Sequence, residues 1–195
     1  MHTTLIAITG GIGSGKSVVS DILRTLGYDV YDCDSRAKSI VDNDHDIKAR
    51  LVSEIAPDCI DAEGNVRRAR LAEIVFADPA ALARLNHLIH GAVRADIRRQ
   101  ARECHQPLMF VETAILYQSH LDKMVDEVWE VHAPEELRVN RVMLRNGLDR
   151  EKVMARIDAQ KSYNPARRHA VVHEIVNDGS VPVLPQVEKL LAGLK

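Results

Sequence analysis

Cysteine is sparse and poorly placed for cross-linking: Cys33, Cys59 and Cys104 are odd in number, far apart and without a C-x-x-C spacing. That pattern speaks against a disulfide framework or a zinc site and fits a reducing cytoplasm. No apolar stretch exceeds strand length and no basic segment opens the chain, so neither a signal peptide nor a membrane span is expected. Charge of one sign is missing as well. Lys and Arg number 26 against 28 Asp and Glu, a formal charge of −2, which provides no overall basic field for nucleic acid. Internal repeats, low-complexity tracts and long linkers are lacking too. What remains is a chain of 195 residues, 46% hydrophobic and 28% charged, the profile of one soluble domain with room for inserted lobes.

One stretch stands out. Gly10 through Ser17 match the phosphate-loop pattern G-x-x-x-x-G-K-[ST] at every position. Leu5 to Ile8 before it read as a buried strand, and Ser17 to Leu23 after it open an amphipathic helix. Glycines let the backbone take left-handed angles and come close to a ligand. The bared N–H groups and the positive end of the helix then cradle anionic oxygens. The candidate nucleotide-binding residues are therefore Gly11, Ile12, Gly13, Ser14, Gly15, Lys16, Ser17 and Val18. Lys16 is expected to reach the β- and γ-phosphates, and the Ser17 hydroxyl to hold Mg²⁺. A glycine-rich turn with no ligand is the plain alternative. Strand, Lys-Ser pair and helix together favour a nucleoside triphosphate.

The helix over 16–26 stops at Gly27, and Tyr28 to Tyr31 form a short second strand, a β-α-β opening that calls for a parallel sheet. Ligands of such sheets collect beyond the carboxyl ends of the strands. Asp32-Cys33-Asp34 sits at that edge. Asp34 is either the N-cap of a helix over 35–42 or a carboxylate that meets an attacking hydroxyl, and its place makes it the leading catalytic candidate. Residues 43–106 read as mostly helical, with a helical period over 44–55, a turn-rich connection from Pro57 to Asn65 and a short helix from Arg67 to Phe76. The helix from Pro79 to about Cys104 carries Leu82, Leu85, Leu88, Ile89, Val93 and Ile97 on one stripe. Its other face, with His87, His90, Arg94, Arg98 and Arg99, is a solvated surface or a wall for an anionic substrate. Pro107 to Glu112 is an apolar strand ending in an acid that could orient a metal-bound water, or simply a strand that ends in Glu. Val125 to His132 forms another strand. Segment 138–168 concentrates Arg138, Arg141, Arg145, Arg150, Lys152, Arg156, Lys161, Arg167 and Arg168, fitting a solvated helical surface or a lid that closes on triphosphate. Ile175 and Val176 make a last strand, Asn177-Asp178-Gly179 a turn, and 181–194 a closing helix.

The late N-K-x-D of a guanine-reading GTPase is missing, and Asp61-Ala62-Glu63-Gly64 has no apolar strand before it, so its D-x-x-G reads as a surface turn. A compact α/β core, a helical insertion and an Arg-rich lid describe a kinase that shields its triphosphate from water. The chain resembles the dephospho-CoA kinase family. Ile8-Thr9-Gly10-Gly11-Ile12-Gly13-Ser14-Gly15-Lys16-Ser17 carries most of the resemblance. Asp32-x-Asp34, Ile74 to Pro79, Leu85 to His90, Ala133 to Leu137, Arg141 to Arg145, Arg156 with Gln160, and Asn177-x-Gly179 extend it along the chain. Departures also occur. Cys33, Arg36 and Lys38 fall in the D-A-D-x-[IL]-[AS]-[RH] motif, His90-Gly91 replaces His-Pro, Ala114 to Gln118 replace Pro-Leu-Leu-Phe-Glu, and Val171-Val172 replace Ala-Asp.

The resemblance implies transfer of the ATP γ-phosphate to the ribose 3′-hydroxyl of dephospho-CoA, with Mg²⁺ as cofactor. It implies an α/β, three-layer P-loop NTPase fold with a parallel sheet. The core would cover about 1–33, 107–133 and 171–195, a helical substrate-binding insertion about 34–106, and the Arg-rich lid about 134–170. Asp34, Lys16 and Arg141 become the catalytic candidates. Arg141, Arg145 and Asn177 join the nucleotide site, Thr9, Asp34, His90 and Arg94 the acceptor site, and Ser17 and Glu112 the metal site. The protein is expected to act in the cytoplasm as a monomer or weak homo-oligomer, on small molecules and without nucleic acid or membrane. Another small-molecule kinase of this architecture, or a nucleotide-binding module without turnover, stays open on the residues alone.

Overall fold

The computed structural model describes residues 3–161, 165 and 167–194, Lys161 by its backbone alone. Residues 162–164 and 166 of the expected lid, and the Lys161 ammonium counted in its charge, lie outside the described residues. The chain divides into two compact units, Met1–Tyr31 with Cys104–Lys195, and Asp32–Glu103.

The first unit is built on a sheet of β1 (Thr4–Thr9), β2 (Asp29–Asp32), β3 (Leu108–Glu112), β4 (Glu127–His132) and β5 (Val172–Val176), in the order β2-β3-β1-β4-β5. β3 and β4 flank β1 in parallel, with Ile8 opposite Glu112 on one side and Trp129 on the other, and β5 runs parallel to β4. β1 is apolar on both faces and buried from Leu5 through Thr9, as a central strand covered on both sides must be. On one face Ile6, Ile8, Phe110, Trp129, Val131 and Ile175 pack against Val19 and Leu23 of α1 (Lys16–Thr25) and Val187 and Leu191 of the C-terminal helix (Val183–Gly193). Truncating one such side chain typically costs about 2–5 kcal/mol. Phe110 sits at the centre of an aromatic row, 5.5 Å from Tyr28 and 5.1 Å from Trp129 between ring centroids. β5 is longer than the apolar pair Ile175-Val176 announces. His173 and Glu174 extend it because the sheet edge gives them partners: His173 Nε2 lies 3.1 Å from Glu127 on β4.

The second unit is helical: α2 (Cys33–Asn43), α3 (His45–Glu54), α4 (Arg68–Ala77) and α5 (Pro79–Glu103) enclose Val41, Ile47, Leu51, Cys59, Leu71, Leu85 and Leu88. Leu82 departs from the expected stripe and is 40% exposed; the inward position of that turn belongs to Ala81. Arg99 leaves the expected basic face too. With Arg36 it closes on the buried Asp96, whose Oδ2 accepts from Arg36 Nε at 3.0 Å and Nη2 at 2.7 Å, tying α2 to α5. The Asp61 to Gly64 segment is a hydrogen-bonded turn, with Asp61 Oδ1 accepting from the Glu63 and Asn65 amides. The first unit is completed by α6 (Glu135–Asn146) and α7 (Arg150–Lys161), joined through Val139, Val142, Val153 and Ile157, and by the closing helix, α8. Among the described residues, no helix is long and apolar enough to cross a membrane.

Candidate active site

The phosphate loop occupies the turn from β1 into α1. Gly13 and Gly15 have φ of +79° and +96°, conformations that side chains resist. Gly15 is the N-cap of α1 and offers no side-chain oxygen to the first turn. The Gly13, Gly15 and Ser17 amides have no acceptor among the described residues, so the helix presents open donors at its positive end. The Ser14 hydroxyl is buried without a partner there. Lys16 folds back, its Nζ donating to Gly10 O at 2.9 Å and Gly11 O at 3.4 Å. A loop with open amides and an ammonium held on its own carbonyls is set for an anion that outbids both.

Four side chains distant in sequence hold this loop from outside. Gln160 Oε1 accepts from Ile12 N at 2.7 Å, and Arg138 Nε donates to Ile12 O at 2.9 Å. Asn177 Nδ2 donates to Ser14 O at 3.0 Å, and Arg141 Nη1 to Asn177 O at 3.0 Å. Asn177 also explains Gly15, since a Cβ there would collide with its amide. Arg141 and Asn177 thus meet beside Ser14. The sequence offers Arg138 only as one of the basic residues of a possible lid and Gln160 only as a match shared with Arg156; their hold on Ile12 comes from the structure.

Next to the loop lies a cavity of about 320 Å³ lined by Thr9, Gly10, Gly11, Tyr117, Gln118 and Arg138, with Glu130 and Arg168 on its wall. Arg168 Nη2 binds both Glu130 oxygens at 3.0 Å. Glu130 therefore lends this cavity a carboxylate although position 118 carries an amide. Glu112 closes β3 beside Ile8, at the carboxyl edge from which the loop departs. Among the described residues, no group of three His, Cys, Asp or Glu could hold a metal.

The basic segment does not converge as a whole. Arg150 pairs with Glu136 at 2.5 Å, Lys152 with Asp149 at 3.1 Å, and Arg145 donates to Asn146 at 2.8 Å. Among the described residues Arg138 and Arg141 are the members that reach the loop. Burial draws the Arg138 guanidinium below its ordinary pKa, with Glu135 pulling it back up.

In the second unit, of the two readings left open for Asp34, the helix cap does not hold. The cap is Asp32, whose Oδ1 accepts from the Asp34 and Ser35 amides at 3.0 and 3.1 Å. Only the residue with extended backbone just before the first turn can aim its carboxylate at those amides. Asp34 lies one step inside α2 and is exposed. His90 and Arg94 stand one turn apart on α5, both half-buried.

A family model described as dephospho-CoA kinase matches residues 4–182. A dephospho-CoA kinase of Porphyromonas gingivalis is 38% identical over 186 residues, covering 95% of this chain and 92% of its own. A crystal structure from Thermus thermophilus superposes with a TM-score of 0.81 at 34% identity, over all of both chains. A shikimate kinase from Acinetobacter baumannii shares the fold alone, with a TM-score of 0.51 at 14% identity over 98% of this chain and 93% of that one.

Proposed function

Because this chain belongs to the dephospho-CoA kinase family, we propose that it moves the γ-phosphoryl group of ATP onto the ribose 3′-hydroxyl of dephospho-CoA, releasing coenzyme A and ADP. The observation that carries the reading is the uncapped start of α1, with open amides and the Lys16 ammonium on one glycine loop. Of the loop from Gly11 through Ser17, with Val18 behind it, the open amides of Gly13, Gly15 and Ser17 would hold the phosphates first. The Ile12 and Ser14 amides would have to leave Gln160 and Gly11 to join them, and Lys16 would leave the Gly10 and Gly11 carbonyls for the β- and γ-oxygens. Arg141 and Asn177, bonded to each other beside Ser14, would border the adenine. Arg145 points to Asn146, so a nucleotide contact would require it to turn.

Mg²⁺ fits the donors present. A triphosphate-bound Mg²⁺ keeps several waters and asks for one or two protein oxygens. Ser17 would give one and Glu112 would hold a water. Once bound, the ion would draw charge off the β- and γ-phosphates. On the acceptor side, Thr9 lines the cavity next to the loop, while Asp34, His90 and Arg94 are assigned to dephospho-CoA by family resemblance. Asp34 would take a hydrogen bond from the 3′-hydroxyl and aim it. Phosphoryl transfer is largely dissociative, so positioning outweighs basicity and the proton leaves late. A cytoplasmic location fits a kinase of this family, and three cysteines too few and too scattered for a disulfide framework suit it.

The test is an acceptor panel: protein, Mg·ATP and one candidate acceptor per reaction, with ADP followed over time. Turnover with dephospho-CoA alone supports the reading. Turnover with a nucleoside monophosphate instead, or ATP binding without turnover on any acceptor, refutes it.

A further inference from the structure

Arg138 lies on the phosphate loop rather than above it. Its Nε donates to Ile12 O at 2.9 Å, and a Cβ on Gly11 would collide with its Nη2. Its own carbonyl lies 2.5 Å from where a Cβ on Gly13 would stand, so α6 is seated against the loop by backbone as well as side chain. Among the described residues Ile12 O is its one hydrogen-bond acceptor, which leaves both Nη groups with donors to give. Arg138 lines the cavity that also holds Thr9, Gly10 and Gly11. Lys16 rests on the carbonyls of Gly10 and Gly11. Ammonium and guanidinium thus converge on residues 10–12, whereas Arg141, one turn further along α6, serves Ser14 and Asn177.

Resting on the reaction assigned above, we propose that Arg138 is a further catalytic residue, whose Nη groups bind the γ-phosphoryl oxygens during transfer. The bond from γ-phosphorus to the β,γ-bridging oxygen breaks and its electron pair stays on ADP. The bond from the ribose 3′-oxygen to phosphorus forms, and the hydroxyl proton passes to a carboxylate and then to water. Charge spread over three equatorial oxygens matches a planar fork of donors. The half-buried setting strengthens that attraction relative to water. Gly11 makes room for the fork, and Ile12 O holds it when no phosphate is there.

The experiment compares the full-length parent with Arg138→Ala, Arg138→Gln and Arg138→Lys, measuring kcat, KM for ATP and dephospho-CoA, and melting temperature. Arg138→Ala and Arg138→Gln should lose kcat on the order of 10³-fold, the lower range for an arginine acting on a transferring phosphoryl. KM for ATP should stay within about threefold, lysine should restore part of the rate, and free guanidinium ion should restore part of it to Arg138→Ala. A kcat within about threefold of the parent overturns the proposal. So does a loss confined to ATP affinity, or one that accompanies a collapsed melting temperature and resists both lysine and guanidinium. A parent inert toward dephospho-CoA fails the reaction itself; an active parent with unimpaired variants fails this assignment alone.

Discussion

Asp32 and Asp34 are two residues apart and their side chains have different tasks. Asp32 accepts two amide hydrogen bonds at the start of α2 and also takes the Ser35 hydroxyl at 2.6 Å. Asp34, already inside the helix, is left with a weak favourable interaction with the helix dipole. Asp32→Ala should therefore cost about 1 kcal/mol of stability, the usual value of a lost cap. Asp34→Asn should leave stability within about 0.5 kcal/mol, as exposed substitutions usually do. It should lower kcat/KM by about 10²–10⁴-fold, the range for a positioned acid or base, with ATP binding unchanged. Urea midpoints and steady-state kinetics on the same two variants separate the roles. A fully active Asp34→Asn would end the catalytic assignment.

Elements show where local sequence suffices and where it stops. β1, the loop and α1 could be read directly because apolar run, glycine spacing and helical period are neighbours on the chain. α5 could be read from its period, yet Leu82 and Ala81 exchange places because a period locates a stripe and not its edge. β5 was foreshortened because His173 and Glu174 are strand residues only through partners on β4. The walls of the candidate site were the hardest part. Arg138 and Gln160 stand 126 and 148 residues from Ile12, and no spacing rule spans such a gap. The α2–α5 tie is similar: Arg36 looked like a motif departure, and its purpose appears only with the buried Asp96, 60 residues on. Asp96→Asn keeps the shape and removes the charge that two guanidinium groups share. With both arginines partly solvated, it should cost about 1–3 kcal/mol, the value of hydrogen bonds to a charged group. The urea midpoint reads this, and a midpoint equal to the parent's would reduce the pairs to surface decoration.

Across the whole molecule, acid and ligand should move stability by separate routes. Glu54, Asp58 and Glu136 are held below their ordinary pKa chiefly by hydrogen bonds from Arg50, Arg70 and Arg150, Asp61 chiefly by the Asn65 amide, and Asp178 by Ser180. A carboxylate depressed in the folded state stabilises it above the unfolded pKa, and that help is lost as pH falls through the folded value. These groups should thus leave the urea midpoint unaffected between pH 7 and 5 and lower it below about pH 4. Added salt should weaken the fall, since all five groups are at the surface. Nucleotide, bound at the proposed phosphate loop, should act on the first unit instead. ATP at 100 times its Kd should add about 2.7 kcal/mol. For a chain of 195 residues that is a rise in melting temperature of roughly 5–11 °C. The single tryptophan, Trp129, is fully buried in the core of that unit, so its fluorescence reports the melting of the part that carries the phosphate loop. The shift should appear in that signal and shrink in Lys16→Ala, which removes the ammonium proposed to hold the phosphates. Far-ultraviolet dichroism, to which the helical second unit contributes strongly, should rise together with the fluorescence if the two units melt together, and stay behind if the second unit melts alone. An unmoved Trp129 transition at saturating ATP would contradict phosphate binding at this loop, whatever the dichroism does.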